Sequence, residues 1–224
     1  MQALVAEPDG VGRLIVADVN VLPPTFPALG RWVADLRKRF PDKYIVVLED
    51  NFHLLELPGY DAGEAKIAAS SHYVKRMCNN YQVTTIATME ITKSDLAPGK
   101  RPVMAALKGS SAIPYDINAN WTAYNDLADL MDASQIYWED SKDRTIEFGP
   151  NGEGMEVPTK KPVVEIICDK NKISGFKGTT FFEMKPESGF LKECSTEDQG
   201  RFRSKVLAQM SERQQARAAD SKKL

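Results

Sequence analysis

The chain has 224 residues, 42% of them hydrophobic and 27% charged, with a formal net charge of -2 at pH 7. That length allows one sizeable core and a small appendage, and the near-neutral balance excludes bulk attraction to polyanions, so any nucleic-acid contact must come from a local cluster. No run approaches the ~18 apolar residues of a membrane span, and "MQALVAEPDGVGR" lacks the basic and then apolar layout of a secretory signal, so a cytoplasmic setting without membrane partners is expected.

In chain order, "GRLIVADVN" (12–20) is a short β-branched run closed by Asn20 and the prolines at 23 and 24, and predicts a strand. Phe26, Leu29, Val33, Leu36 and Phe40 recur at threes and fours, which describes the apolar stripe of a helix ending near Pro41. A buried strand follows over 43–49, and after the Pro58-Gly59 break a second helix is expected over about 62–81. "QVTTIATMEI" (82–91), "NANWTAYND" (118–126) and "KPVVEIICDKN" (161–171) read as further strands, with Trp121 in the core. The polar, acidic segment 127–160 reads as a surface excursion anchored by Trp138. "GTTFFEMKPESGFLKEC" (178–194) predicts a hairpin turning at Pro186-Glu187-Ser188-Gly189. In the last thirty residues Phe202, Val206 and Met210 mark a short amphipathic helix with a frayed basic end.

Strand and helix in alternation, followed mostly by strands, predict an α/β domain with a largely parallel central sheet flanked by helices and a C-terminal β-hairpin. Two divisions are expected: 1–194 as one domain portion and 195–224 as a charged helix and tail. Cys78, Cys168 and Cys194 are odd in number and lack C-x-x-C spacing, so reduced structural thiols are expected rather than disulfides or zinc. His53 and His72 have no ligand spacing and read as ordinary histidines.

"KYIVVLEDNFHLLEL" (43–57) poses the chemical question. Glu49 and Asp50 stand directly after an apolar run, and a carboxylate leaving a buried strand is costly unless a cation or a donor meets it. An apolar strand ending in Asp is the arrangement of a Walker B element, whose carboxylate orients the water shell of a Mg²⁺ on nucleotide phosphates. A helix-capping or solvent-facing acid gives the same pattern. In parallel sheets ligands sit at the carboxyl ends of the strands, where Asp50 and Glu90 fall. The partner of such an Asp, a G-x-x-x-x-G-K-[ST] loop, is not found: "GYDAGEAK", "LAPGKRP" and "GFKGTT" each imitate part of it and fail on spacing or ending.

The order "LIVADV", helix, "KYIVVLEDNFHLL", helix, "VTTIATMEITK", "KRPVMAALKGSSAIPYDINANW", "VEIICDKNKISGFKG" resembles the second half of the ATPase domain of DnaB-type hexameric replicative DNA helicases. Its most specific pieces are "KRP...ALKGSSAI..D.N", similar to the family's R-P-x-x-x-D-L-R-x-S-G-A-I-x-x-D-A-D, and "DKNKISGFKG", similar to K-x-R-x-G-x-x-G. The resemblance implies a partial RecA-like domain that uses ATP and Mg²⁺. It also implies assembly as a homo-oligomeric ring, hexameric by analogy, on single-stranded DNA, with a primase or loader as further partners in a bacterial cell or phage-infected host.

Position by position, Asp50 matches the Walker B aspartate that helps hold Mg²⁺. Glu90 falls where the family has a polar residue, often Gln, that senses the terminal phosphate. Lys170 and Lys172 match the basic pair reaching the neighbouring subunit's ATP, with Lys172 at the arginine-finger position, where it supplies charge without a guanidinium fork. Lys108-Gly109-Ser110-Ser111 corresponds to the turn that lines the central channel and holds DNA phosphates, where small residues let backbone N–H groups approach and a lysine adds charge. By its basic residues Lys93, Lys100 and Arg101, the preceding loop reads either as a further set of DNA contacts, with Lys93 and Arg101 as the candidates, or as a solvated loop. The family's phosphate loop, its water-activating Glu and its N-terminal domain would precede residue 1, so the isolated polypeptide is not expected to hydrolyse ATP. Three readings follow: a fragment of such a helicase or the distal piece of a split one whose other half, a separate chain, carries the phosphate loop; a catalytically inactive helicase-like binding module; or a different RecA-like ATPase such as a recombinase, against which the Ala106–Ile113 turn argues.

Overall fold

A computed structural model describes residues 14–18, 20, 22–91, 100–102, 104, 112–148 and 150–220. The chain divides into two compact units, Met1–Thr92 with Ala105–Ile117, and Lys93–Met104 with Asn118–Leu224.

The first unit is built from helix α1 (Phe26–Arg39), strand β1 (Val46–Glu49), helix α2 (Glu64–Tyr81), strand β2 (Thr84–Ala87) and the short helix α3 (Ile113–Asp116). Helix α1 starts at Thr25, whose hydroxyl accepts from the Ala28 N–H at 3.2 Å, and ends with Arg37, Lys38 and Arg39 in its last turn, the sign that suits the negative end of the helix dipole. The stripe Phe26, Leu29, Val33 and Leu36 is buried, and Phe26, Leu29 and Val33 pack with Val47 of β1, Ile67 and Met77 of α2, Val83 and Ile113. Gly30 lets α2 come close, because a Cβ there would collide with the Tyr73 hydroxyl. Asp116 fastens α3 to α2: its carboxylate accepts from Ser71 and meets His72 Nδ1, both at 2.7 Å, and its carbonyl accepts from Lys75.

β1 and β2 pair in parallel, Val46 opposite Thr84 and Glu49 opposite Ala87. Both strands begin beside one side chain. Arg37 donates from Nε to Tyr81 O (2.8 Å), from Nη2 to Gln82 O (2.8 Å), and from Nη1 to the carbonyls of Phe40, Pro41 and Lys43 at 2.8–3.1 Å. These carbonyls lie where α1 and α2 run out and intrahelical donors cease.

The second unit is β-rich. Strands β3 (Ala119–Asn125), β4 (Tyr137–Phe148), β5 (Gly154–Asn171), β6 (Gly178–Lys185) and β7 (Phe190–Glu193) form an antiparallel sheet in the order β3-β5-β6-β7, with β4 paired to the first half of β5. Helix α4 (Asp126–Leu130) follows β3, and helix α5 (Thr196–Asp220) closes the chain. Ile136, Val163, Phe181, Cys194, Phe202 and Val206 make the core, with Trp138 against it. Gln199 joins helix to sheet by using both ends of its amide: Oε1 accepts from Phe181 N (3.0 Å) and Nε2 donates to Phe181 O (2.9 Å). All three cysteines are free thiols, and burial pushes Cys194 up to about 11, which suits an inert core thiol.

The α/β, RecA-like class holds, with parallel pairing confined to β1 and β2 among the named strands of the described residues. Four expectations change. Residues 14–18 are not a strand, and Leu14 and Val16 are exposed. The excursion over 127–160 is instead α4, a 3-10 turn, β4 and the first half of β5, so one strand runs unbroken from 154 to 171. Trp121 is 56% exposed, because β3 buries the alternate residues Asn120, Thr122 and Tyr124. Met210 is exposed and Gln209 is buried in its place. At 3.6 residues per turn, a residue eight positions on has rotated about 80° off the stripe, while one seven positions on has drifted only about 20°.

Replacing Arg37 with Ala leaves the helix-end carbonyls without their donor and is expected to cost about 2–3 kcal/mol. Chemical denaturation, with hydrogen-exchange protection at β1 and β2 as the local readout, checks this. Arg37→Lys should recover part of the loss, since an ammonium reaches fewer acceptors at once.

Candidate functional site

Asp50 leaves the C-terminal end of β1 and is exposed. Its position is fixed by the ladder continuing past the strands: Thr88 N donates to Glu49 O and Phe52 N donates to Thr88 O, each at 3.0 Å. The same residue holds the carboxylate, because Thr88 Oγ1 donates to Asp50 Oδ1. The Asp50–Asn51 peptide is cis, and Asn51 Oδ1 accepts from His53 N to start the following turn. Glu49 is half-buried, and burial, with the neighbouring Asp50 charge, raises its carboxyl above the usual range. The two acids at the end of the strand thus divide: Glu49 is half-buried, and Asp50 is presented to solvent with a hydroxyl orienting it.

Glu90 follows β2 at the same sheet edge and is exposed, and its backbone N–H approaches His53 Nδ1 at 3.4 Å. Among the described residues no group of three or more His, Cys, Asp or Glu side chains could hold a metal ion. One oriented carboxylate fits Mg²⁺ in the manner that ion favours, through water and the oxygens of a phosphate substrate rather than in a protein cage.

In the second unit Lys170 and Lys172 sit where β5 turns toward β6. Lys170 is half-buried opposite Asn120, and the Lys172 N–H donates to Asn118 O at 2.7 Å, leaving its side chain on the exposed turn. Asn171 shapes that turn, its Oδ1 accepting from Ile173 N (2.9 Å) and Ser174 N (3.1 Å), and Gly175 completes it at φ +73°.

Lys93 and the loop Lys108, Gly109, Ser110 and Ser111 lie outside the described residues. Arg101 is described, and the expectation of a DNA contact there is corrected. Its side chain is 11% exposed and donates from Nε and Nη2 to both carboxylate oxygens of Glu165 at 2.6 Å. Nη1 donates to Gln209 Oε1 at 3.0 Å, Asp126 Oδ1 stands at 3.6 Å, and the guanidinium lies 5.1 Å from the Tyr124 ring centroid. Burial alone would lower the Arg101 pKa, but Glu165 and Asp126 outweigh it and raise it. A guanidinium with its fork filled has nothing left for a phosphate.

Three residues of this cluster, Glu165, Asp126 and Gln209, escaped the sequence reading. The signal was Glu165 itself, an acid inside the apolar run "VVEIIC", which requires a buried cation. Three positions from Arg101, Met104 N donates to Asp169 Oδ2 at 2.6 Å, so this stretch is tied to β5 one residue before Lys170.

No family model matches the chain, and no curated protein matches it. Solved structures do. An ATPase domain and a DnaB-like replicative helicase, the latter described with its interactions with primase, each match over 76% of this chain with a TM-score of 0.59 and 20% identity. The chain has a DnaB-type helicase fold. It spans 52% of the matched ATPase domain and 36% of the DnaB-like chain, so it corresponds to about half of one such domain. No helix among the described residues is long and apolar enough to cross a membrane.

The buried cluster yields a test of its structural role. Arg101→Ala strands Glu165 and Asp126 and is expected to cost about 3–5 kcal/mol. The pair Arg101→Met with Glu165→Met should recover most of it in thermal unfolding. Full stability in Arg101→Ala would return Arg101 to the DNA surface.

Proposed function

We propose that this chain is part of an ATP-dependent replicative DNA helicase, a ring, hexameric by analogy, that translocates on single-stranded DNA and unwinds duplex. In this reading the phosphate loop is supplied from outside these 224 residues, by the rest of a longer chain or by a separate polypeptide. The observation that carries the proposal is the presence, within a DnaB-type fold, of both an exposed carboxylate oriented by Thr88 at the ligand edge of the parallel strands and an exposed lysine on the β5–β6 turn.

Asp50, its carboxylate fixed by Thr88, would hold the water shell of a Mg²⁺ ion, which would supply positive charge against the charge that develops during phosphoryl transfer. Lys170 and Lys172 of the neighbouring copy meet the ATP phosphates from the other side, Lys172 as a point charge at the departing γ-phosphate. Glu90 stands at the phosphate-sensing position, where an ionised carboxylate repels phosphate, so that role requires a proton or a cationic partner on it. Lys108, Gly109, Ser110 and Ser111, with Lys93, hold the DNA backbone, and turnover at successive interfaces moves these loops along the strand. Alone, without a phosphate loop, the chain is inactive toward ATP. Primase or a loader would dock on the assembled ring.

The alternative reading is a catalytically inactive helicase-like module that binds a helicase ring or DNA. Mixing it with the phosphate-loop polypeptide separates the two: DNA-stimulated ATP hydrolysis supports the helicase, and its absence at every ratio supports the module.

Within the active mixture the two sites should part. Lys172→Ala is expected to abolish turnover with DNA affinity nearly intact, whereas Lys108→Ala should weaken DNA binding and reduce its salt dependence. Identical behaviour of the two variants would contradict this division of labour.

A further inference from the structure

Strands β4 and β5 continue well beyond the sheet to which they belong. β5 pairs with β3 over Val164–Asn171 and with β6 over Val163–Cys168, so from Gly154 to Pro162 its one strand partner among the described residues is β4. The root of this arm is well held. Trp138 Nε1 donates to Met184 O at 3.3 Å, Lys161 pairs with Glu187 at 3.2 Å, and Lys205 of α5 donates to Gln135 O at 2.7 Å while standing 5.6 Å from the Tyr137 ring centroid. The outer end is not covered. Ile146, Phe148 and Met155 are 58%, 75% and 62% exposed, and Ile146 and Phe148 lie side by side over Gly154, where a Cβ would collide with the Ile146 side chain. A two-stranded ribbon is marginally stable in water by itself, and an apolar end on one calls for a partner surface.

Charge decides which surface. Residues 139–157 hold six acids and two bases, a net charge of -4, which disfavours a nucleic-acid backbone as the occupant. The opposite composition occurs on α5, where residues 201–217 hold five bases and one acid, a net charge of +4. On that helix Leu207 and Met210 are 61% and 48% exposed, three residues apart and so on one face, with the exposed Arg203 one turn before them. Within one chain Lys205 joins the helix to the root of the arm, yet both apolar patches stay open, so neither covers the other. Between copies the signs sort the pairings: arm against arm and helix against helix set like charges together, whereas arm against helix opposes them.

We propose that the outer end of the β4–β5 arm, with Ile146 and Phe148, docks on the Leu207–Met210 face of α5 in a second copy of this chain. Glu156, opposite Ile146 in the register, then comes against the basic side of the helix at Arg203. Each copy offers one arm and one helix, so the contact runs head to tail and repeats from copy to copy, the kind of contact that closes into a ring. It uses none of the candidate nucleotide or DNA residues. The inference goes beyond the helicase reading and does not depend on it.

The test is sedimentation velocity of the full chain at concentrations up to about 100 μM, since a contact built on a few side chains falls short of the roughly 800 Å² per partner of a stable interface. Two variants are compared with the wild type, Ile146→Thr with Phe148→Thr on the arm and Leu207→Glu with Met210→Glu on the helix. All four positions are exposed, so each variant should keep its circular dichroism and unfolding temperature; if a double variant does not, Phe148→Thr or Leu207→Glu alone takes its place. The expected result is self-association of the wild type that weakens with salt and falls about tenfold or more in each variant. An equal mixture of the two variants restores one contact per pair, so it should form dimers and nothing larger. A monomeric wild type, association unchanged in either variant, or a mixture that stays monomeric each overturns the proposal. None of these outcomes touches ATP hydrolysis by the completed helicase, which tests that reading separately.

Discussion

The carbonyl groups gathered by Arg37 are the constraint from which the candidate nucleotide edge follows. Two helices end side by side, and each is followed within a few residues by one of the parallel strands. A helix end leaves carbonyls without intrahelical donors, and the Arg37 guanidinium meets those of Tyr81 and Gln82 at the end of α2 and those of Phe40, Pro41 and Lys43 beyond α1. The starting points of β1 and β2 are thereby held together, and the register from Val46–Thr84 to Glu49–Ala87 continues from them. One residue farther, the same alignment brings the Thr88 hydroxyl to Asp50. A slip of one residue would turn every side chain of β1 to the opposite face, burying Leu48 and exposing Val47.

The second unit relies on a different cation. Arg101 binds Glu165, Asp126 and Gln209 in the interior, joining the segment before the candidate DNA loop to β5 and to α5. Such a cluster adds little stability over an apolar one of the same shape, yet it tolerates no missing member. Its use here is positional: Arg101 and the Met104–Asp169 bond fix this segment against the strand that carries Lys170. The stretch that leads into the candidate DNA loop and the candidate trans-acting lysines are therefore anchored to neighbouring points of β5.

Much of this was legible in the residue pattern. The stripe from Phe26 to Leu36, the break at Pro58-Gly59 and the apolar run before Glu49 define α1, α2 and β1, because each buries one side and repeats with the period of its element. The β6–β7 hairpin declared itself through its turn residues. The β4–β5 hairpin did not, since much of its length is exposed and alternation loses its apolar signal there; "SKDRTIEF" and "GMEVPTKK" read as loop by charge alone. Arg101 was misread for a related reason. A basic residue in a Gly/Pro-rich stretch looks solvated until its partners are known, and those partners, Asp126, Glu165 and Gln209, are all distant in sequence. Asp50 was legible because the apolar run Tyr44–Leu48 comes just before it, whereas its partner Thr88, 38 residues on, became visible only through the pairing of β1 with β2.

The proposed chemistry divides one nucleotide site between two copies of the chain, Asp50 on one and Lys172 on the next. Rings assembled with the phosphate-loop polypeptide from an equal mixture of Asp50→Asn and Lys172→Ala chains test that division most directly. Each variant alone should be inactive. If the residues act across an interface, about a quarter of the interfaces in the mixture combine an intact Asp50 with an intact Lys172, and ATP hydrolysis should return to a corresponding fraction of wild type. A mixture as inactive as either variant alone would contradict a site shared between copies.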